Sequence, residues 1–249
     1  MLKIKSVSKS FEGIKAVNSL NMILEKKGIY GLIGPNGSGK TTLFNLISGF
    51  LPIDSGEIFY RGIPIHEKKP YQIYNMGLAR TFQLTRIFPK MTVIENMMVP
   101  PKNQKGEKIF NLFLNKRKVI DQEINIRNKA MDLLNFVGLF PLRNELGKNL
   151  SYGQQKLLEL ARILMGEPEM ILLDEPTAGV NPTMIRNLME MIEKLSDIGK
   201  SFLIVEHNID VVIELCRWVY VLDHGEKIAE GRPNEIKSNE KVIEAYLGV

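Results

Sequence analysis

Two periodicities of apolar residues divide the chain. In its first third, short strand-like runs (LKIKSV, GIYGLIG, GEIFYRG) are broken by Gly, Pro and Asp, with one clear helix from Lys40 to about Ser48. From about Arg86 to Gly166 the apolar positions shift to helical spacing in TVIENMMV, VIDQEINIRNKAMDLLNFVGL and GQQKLLELARILM, with PPKNQKGEK as a polar break. Beyond Gly166 come MILLDEP, SFLIVEH and WVYVLD, apolar runs too short for helices, separated by helical patterns over residues 182–198 and 208–216. Uniformly apolar strands alternating with helices predict a parallel sheet covered on both faces. The expected class is α/β, with a mixed α and β beginning and a helical insertion.

Composition narrows the picture modestly. The chain has 249 residues, 44% hydrophobic and 24% charged, ordinary values for a globular protein with ample material for a core. No stretch reaches eighteen consecutive apolar residues, and MLKIKSVSKSF lacks a signal peptide's apolar centre, so neither a membrane span nor export is expected. The single cysteine, Cys216, excludes an internal disulfide and reads as a small buried side chain. A balance of 33 Lys and Arg against 28 Asp and Glu is compatible with nucleic acid, anionic lipid or neither. The densest basic stretch, Lys102 to Lys118, reads as a solvated face, with contact near an anionic membrane as the other reading.

Candidate chemistry begins with GLIGPNGSGKTTLFNLISG, in which Gly34 is followed after four residues by Gly39, Lys40 and Thr41, between an apolar strand and a helix. Glycines at 34, 37 and 39 let successive backbone N–H groups close around a phosphate, aided by the helix N-terminus. Lys40 would bridge the outer phosphates, and Thr41 would offer its hydroxyl to Mg²⁺.

MILLDEP carries Asp174 and Glu175 to the carboxyl end of a buried strand, the edge where ligands bind in open α/β sheets. Asp174 would hold Mg²⁺, mostly through water, and Glu175 either polarises an attacking water or serves as a helix N-terminal charge beside Pro176. LIVEHNID repeats the design with Glu206 and His207, whose imidazole either positions that water or caps a helix. His66 and His224 lie in turn-like sequence. GLARTFQ ends a strand in Gln83, an amide within reach of Mg²⁺ or water, and Phe11 either stacks on a purine or joins the core. In NLSYGQQKLLELARILM, Ser151 and Gly153 open a helix over 152–165, where hydroxyl, exposed N–H groups and dipole form an anion site or a plain N-cap.

Together these motifs resemble the nucleotide-binding subunit of ATP-binding cassette (ABC) transporters. GPNGSGKT is similar to its first phosphate motif, Gln83 to its glutamine loop, LSYGQ to its signature, MILLDEP to its metal strand and His207 to its switch histidine, in the family's order and over nearly the whole chain. The resemblance implies one ABC ATPase domain over 1–249. Residues 1–85 and 167–249 would form a P-loop NTPase core with a parallel sheet and an N-terminal antiparallel β region, and 86–166 an inserted helical subdomain. It assigns ATP to Phe11, Gly34, Asn36, Gly37, Ser38, Gly39, Lys40, Thr41 and Thr42, Mg²⁺ to Thr41, Gln83 and Asp174, and catalysis to Glu175, His207 and Gln83. Ser151, Gly153 and Gln154 would cover the γ-phosphate held by a second cassette, in a head-to-tail dimer that ATP closes and hydrolysis releases.

Two departures from the commonest pattern, Tyr152 for a Gly and Asn181 for an Asp, together with ARTFQ, MTVIENMMV and VIEAYLG, look like the subgroup serving branched-chain amino acid importers. The implied partners are transmembrane permease subunits reached through residues 83–95, a second ABC cassette (a sibling, as is common in that subgroup, or a second copy) and, indirectly, a solute-binding protein. The implied location is the cytoplasmic face of the cell membrane. The alternatives are another cargo, such as urea, another small polar solute or an exported lipid, or a soluble ABC protein acting on nucleic acid or ribosomes. Proteins of the last kind carry two cassettes or a long coiled coil, for which this chain has no room, so no nucleic-acid partner is expected.

Overall fold

A computed structural model describes residues 1–81, 86–102, 104–105 and 115–247. By backbone contacts the chain divides into two compact units, one of Met1–Gln83, Pro168–Ala178 and Ile185–Val249, the other of Leu84–Glu167 and Gly179–Met184.

The first unit holds two sheets. β1 (Leu2–Phe11), β2 (Ile14–Leu24), β4 (Ser55–Tyr60) and β5 (Ile63–Pro64) form an antiparallel sheet in the order β2-β1-β4-β5. β1 alternates buried Leu2 and Ile4 with exposed Lys3 and Lys5, then slips at a bulge where Ser6 takes a positive φ of 46°, so that Val7 returns to the core. The second sheet follows the order β10-β9-β3-β8-β7-β6, from β3 (Ile29–Ile33), β6 (Leu78–Arg80), β7 (Met170–Asp174), β8 (Ser201–Val205), β9 (Trp218–Asp223) and β10 (Glu226–Gly231). All its pairings are parallel except the β9–β10 hairpin. Every residue of β3, β7 and β8 is buried, as strands covered on both faces require. One apolar cluster takes in Leu2, Leu24 and Tyr60 of the antiparallel sheet, Leu32, Leu172 and Leu203 of the parallel one, and Leu43 and Phe44 of α1 (Lys40–Ile47). This packing fixes the helix that follows the phosphate loop.

The unit is completed by α2 (Pro70–Asn75), α6 (Pro182–Asp197, which begins in the other unit), α7 (Ile209–Leu215), α8 (Pro233–Lys237) and α9 (Glu240–Leu247). Cys216 is buried, and burial pushes its thiol up to about 12, in keeping with a structural side chain.

In the second unit α3 (Val93–Met98), α4 (Lys116–Phe136) and α5 (Tyr152–Met165) pack on one another, and each buries apolar side chains, Met97, Leu134 and Leu158 among them. Asn96 is fully buried but satisfied. Its Oδ1 accepts the Phe88 N–H at 2.8 Å, and its Nδ2 donates to the carbonyls of Phe88, Met91 and Thr92. Lys116, Arg117 and Lys118 stand exposed at the start of α4, whereas residues 106–114 lie outside the described residues. Among the described residues no helix is long and apolar enough to cross a membrane.

Candidate functional site

The loop between β3 and α1 is wedged against two backbones that leave no room for side chains. Gly34 has φ +148° and a Cβ there would stand 2.0 Å from the Leu222 carbonyl oxygen; at Gly39, φ +100°, it would stand 2.2 Å from that of Ala16. The turn of the β9–β10 hairpin joins the same junction, since Gly225 donates its N–H to Ser38 O at 3.1 Å and accepts that of Asn18 at 2.8 Å. Ser38 is buried, Asn36, Gly37 and Thr41 are exposed, and Thr42 is half-buried.

Lys40 folds over this loop. Its Nζ donates to Gly34 O at 2.7 Å, Pro35 O at 2.8 Å and Ser38 Oγ at 3.3 Å. Burial lowers the Lys40 pKa, and the fields of Glu175 and Asp174 act against that shift. One ammonium and two carboxylates therefore share this edge. At the far side, the Gly34 N–H donates at 3.0 Å to the hydroxyl of Tyr246 in α9, tying the C-terminal helix to the first glycine of the loop. Burial raises the Tyr246 pKa, with the bond from Gly34 acting the other way.

β7 delivers Asp174, 3% exposed, whose Oδ2 accepts from Arg80 Nη2 at 2.8 Å and whose N–H donates to Thr81 Oγ1 at 3.1 Å. The next residue, Glu175, takes a positive φ of 47°, a conformation costing a non-glycine residue about 1–3 kcal/mol and concentrated at functional sites. The turn is held by Glu175 N–H donating to Val205 O at 2.9 Å. It aims the carboxylate at His207, with Oε1 and Nε2 3.0 Å apart.

Buried Glu206 braces the arrangement: Oε1 accepts the N–H and hydroxyl of Thr177 at 2.8 and 2.6 Å, and Oε2 accepts the His207 N–H at 3.2 Å. His207 does not cap the helix that follows; Asn208 does, its Oδ1 accepting from the N–H groups of Asp210 and Val211. The capping reading of His207 is thus set aside, and its ring instead lies against Glu175, a contact the sequence did not suggest.

The remaining candidates are placed as follows. Phe11 ends β1 and is 43% exposed, with Lys9 Nζ 5.7 Å from its ring centre, so its core reading is set aside. Gln83 lies outside the described residues. Ser151 caps α5 in the second unit, its Oγ accepting the Gln154 N–H at 3.3 Å while Gln154 Oε1 accepts the Ser151 N–H at 2.9 Å. The two departures from the common pattern are neighbours in that unit. A Cβ at Gly179 would sit 3.1 Å from the Tyr152 ring, and two residues on, Asn181 Oδ1 accepts the Met184 N–H at 3.0 Å, a task an Asp would perform equally. A Cβ at Gly153 would rest in ordinary contact with Met184, 3.4 Å away.

Sequence reasoning passed over Arg80, Thr81, Thr177 and Tyr246, and gave Glu206 a position but no partner. The arrangement can enclose phosphates and hold a carboxylate–imidazole pair beside them. Among the described residues no three His, Cys, Asp or Glu side chains form a metal cage. One hydroxyl (Thr41) and one carboxylate (Asp174) are instead donors of the kind that would suit a Mg²⁺ keeping much of its own hydration.

Comparison with known proteins agrees. The ABC transporter family model matches residues 17–178, and that of the branched-chain amino acid ATP-binding cassette transporter matches residues 226–249. The "Probable branched-chain amino acid transport ATP-binding protein LivG" of Archaeoglobus fulgidus is 42% identical over 100% of this chain and 95% of its own. The "High-affinity branched-chain amino acid transport ATP-binding protein LivG" of Escherichia coli K12 is 37% identical over 100% and 98%. An ABC transporter cassette solved in its ADP conformation superposes with a TM-score of 0.86 at 36% identity, over 100% of this chain and 99% of that one. A bacterial ABC transporter cassette solved as a dimer gives 0.78 at 25% identity, over 94% and 99%. The chain belongs to the ATP-binding subunits of the ABC transporter family. It is a nucleotide-binding ATPase, of a family whose cassettes dimerise and work with membrane permease components.

Proposed function

We propose that this ATPase drives an importer of branched-chain amino acids from the cytoplasmic face of the cell membrane. The observation that carries this reading is the C-terminal segment: residues 226–249 match the model specific to branched-chain cassettes, and within them Tyr246 bonds the phosphate loop. ATP would lie with its phosphates in the loop of Gly34, Asn36, Gly37, Ser38, Gly39, Lys40, Thr41 and Thr42, and its base against Phe11. Lys40 exchanges its carbonyl partners for the outer phosphates. Mg²⁺, held by Thr41 and Asp174 with Gln83 as a further donor, would neutralise charge on the phosphates. Glu175 takes a proton from the attacking water, and His207 holds that carboxylate and the γ-phosphate in line.

The exposed N-terminus of α5, with Ser151, Gly153 and Gln154, would close over the γ-phosphate of a second cassette, a sibling subunit or another copy. Residues 86–166 would form the helical subdomain through which closure reaches the permease subunits, which a solute-binding protein supplies. Ser151→Arg is then expected to stop ATP turnover while the isolated monomer binds nucleotide as before. Loss of nucleotide binding by that monomer in a fluorescence titration would contradict the composite site.

The assembly itself is tested by gentle solubilisation of native membranes and mass spectrometry of what accompanies this chain. Two multi-spanning subunits, a second cassette and a binding protein selective for branched-chain amino acids are expected. A different binding protein would reassign the cargo, and the absence of any multi-spanning subunit would overturn the transport role.

A further inference from the structure

The carboxylate at the end of β7 is already occupied by a cation of the chain itself. Arg80 and Asp174 are both nearly inaccessible, 6% and 3% exposed at their side chains, and pair at 2.8 Å. Arg80 is held independently of that partner. Nη1 donates to Asn45 Oδ1 at 2.6 Å and to Ser48 Oγ at 3.2 Å, on α1 and at its end, and the guanidinium lies 5.4 Å from the Phe44 ring centre. A planar, permanently charged fork fixed on three sides keeps its place whether or not the carboxylate moves. Asp174 has its N–H committed to Thr81 and its Oδ2 to Arg80, while Oδ1 makes no hydrogen bond among the described residues.

Charge balance follows from these contacts. Lys40 lies in the field of Asp174 and Glu175 and Arg80 pairs with Asp174, so these two cations and two carboxylates cancel. The third carboxylate of the edge, Glu206, is committed to Thr177 and the His207 N–H, and little net charge is left with which to hold a divalent ion unaided. Removing Arg80 alone would strand a buried carboxylate, which favours capture of any available cation.

We propose that Arg80 is a built-in counter-cation that neutralises Asp174 and makes divalent-metal binding conditional on nucleotide, whose phosphates bring the charge that the protein withholds. Arg80 is thus a positioning residue, acting through Asp174; the inference rests on the metal role assigned to Asp174 above.

Mn²⁺ binding to the full chain, followed by the paramagnetic resonance of free Mn²⁺, tests both ideas separately. Without nucleotide, the wild type and Arg80→Lys are expected to bind Mn²⁺ weakly, whereas Arg80→Gln binds at least about tenfold tighter, and Asp174→Asn added to it abolishes the gain. A folded Arg80→Gln with wild-type Mn²⁺ affinity overturns the counter-cation. With a non-hydrolysable ATP analogue present, Asp174→Asn should lose Mn²⁺; retention at wild-type affinity would instead overturn the metal role of Asp174. Should Arg80→Gln fail to fold, Arg80→Met with Asp174→Asn is expected to recover the fold, because both charges leave together. A double variant that also fails overturns the pairing.

Discussion

Glu175→Gln is expected to lower the rate of ATP hydrolysis by about 10²–10⁴-fold, the range over which a positioned general base acts, with nucleotide affinity little changed. The substitution keeps the shape of the side chain and an oxygen for the bond to His207, so the backbone turn at φ +47° and the 3.0 Å contact can persist. What disappears is the ability to take a proton. Because only the chemical step is removed, ATP should accumulate in the closed state, and sedimentation in ATP should show more dimer than in the wild type. Wild-type turnover would remove Glu175 from the mechanism. Loss of nucleotide binding would mean that it serves the loop instead.

The strained turn is itself an argument for that role. Val205 O anchors the Glu175 N–H, Glu206 anchors Thr177 on one side and the His207 N–H on the other, and all these groups lie at the ends of two adjacent parallel strands. Such bracing is needed to hold a non-glycine residue in the left-handed region, and its result is a carboxylate aimed at one imidazole.

Which parts of this arrangement are legible in sequence depends on whether the pattern is contiguous. β3, β7 and β8 declare themselves because every residue is apolar or nearly so, and α5 because its apolar stripe follows a capping box. β2 escapes because the alternation slips at Ser19, another positive-φ bulge, so that Val17 and Leu20 point inward three residues apart rather than two. β10 is largely half-exposed and α8 has only five residues, too short to show a period.

The same rule governs the site. The phosphate loop, Asp174 with Glu175, and Ser151 are local in sequence, and their chemistry can be read from spacing. Arg80 reaches Asp174 across 94 positions, Thr177 reaches Glu206 across 29 and Gly34 reaches Tyr246 across 212, pairings that only the sheet order creates. An Arg in GLARTFQ looks like any solvated charge until β6 is laid beside β7.

Lys40→Ala is expected to weaken nucleotide binding by about 10- to 100-fold or more, since one to two charge-assisted hydrogen bonds to phosphate, each worth roughly 1.5–3 kcal/mol, are lost. The fold should survive. Among the described residues Lys40 Nζ bonds only to groups of its own loop, and the carbonyls of Gly34 and Pro35 can turn to water once it is gone. Arg is not an adequate replacement: the pocket under the loop holds a compact ammonium against two carbonyls and a hydroxyl, and a planar fork cannot make the same exchange. Titration with a fluorescent ATP analogue, alongside a thermal melt, separates the outcomes. Unchanged affinity would refute the phosphate-loop assignment, and a lowered melting temperature with retained affinity would recast Lys40 as a structural brace. The contrast with Ser151→Arg is informative, because Lys40 should matter to the lone chain and Ser151 only to the pair.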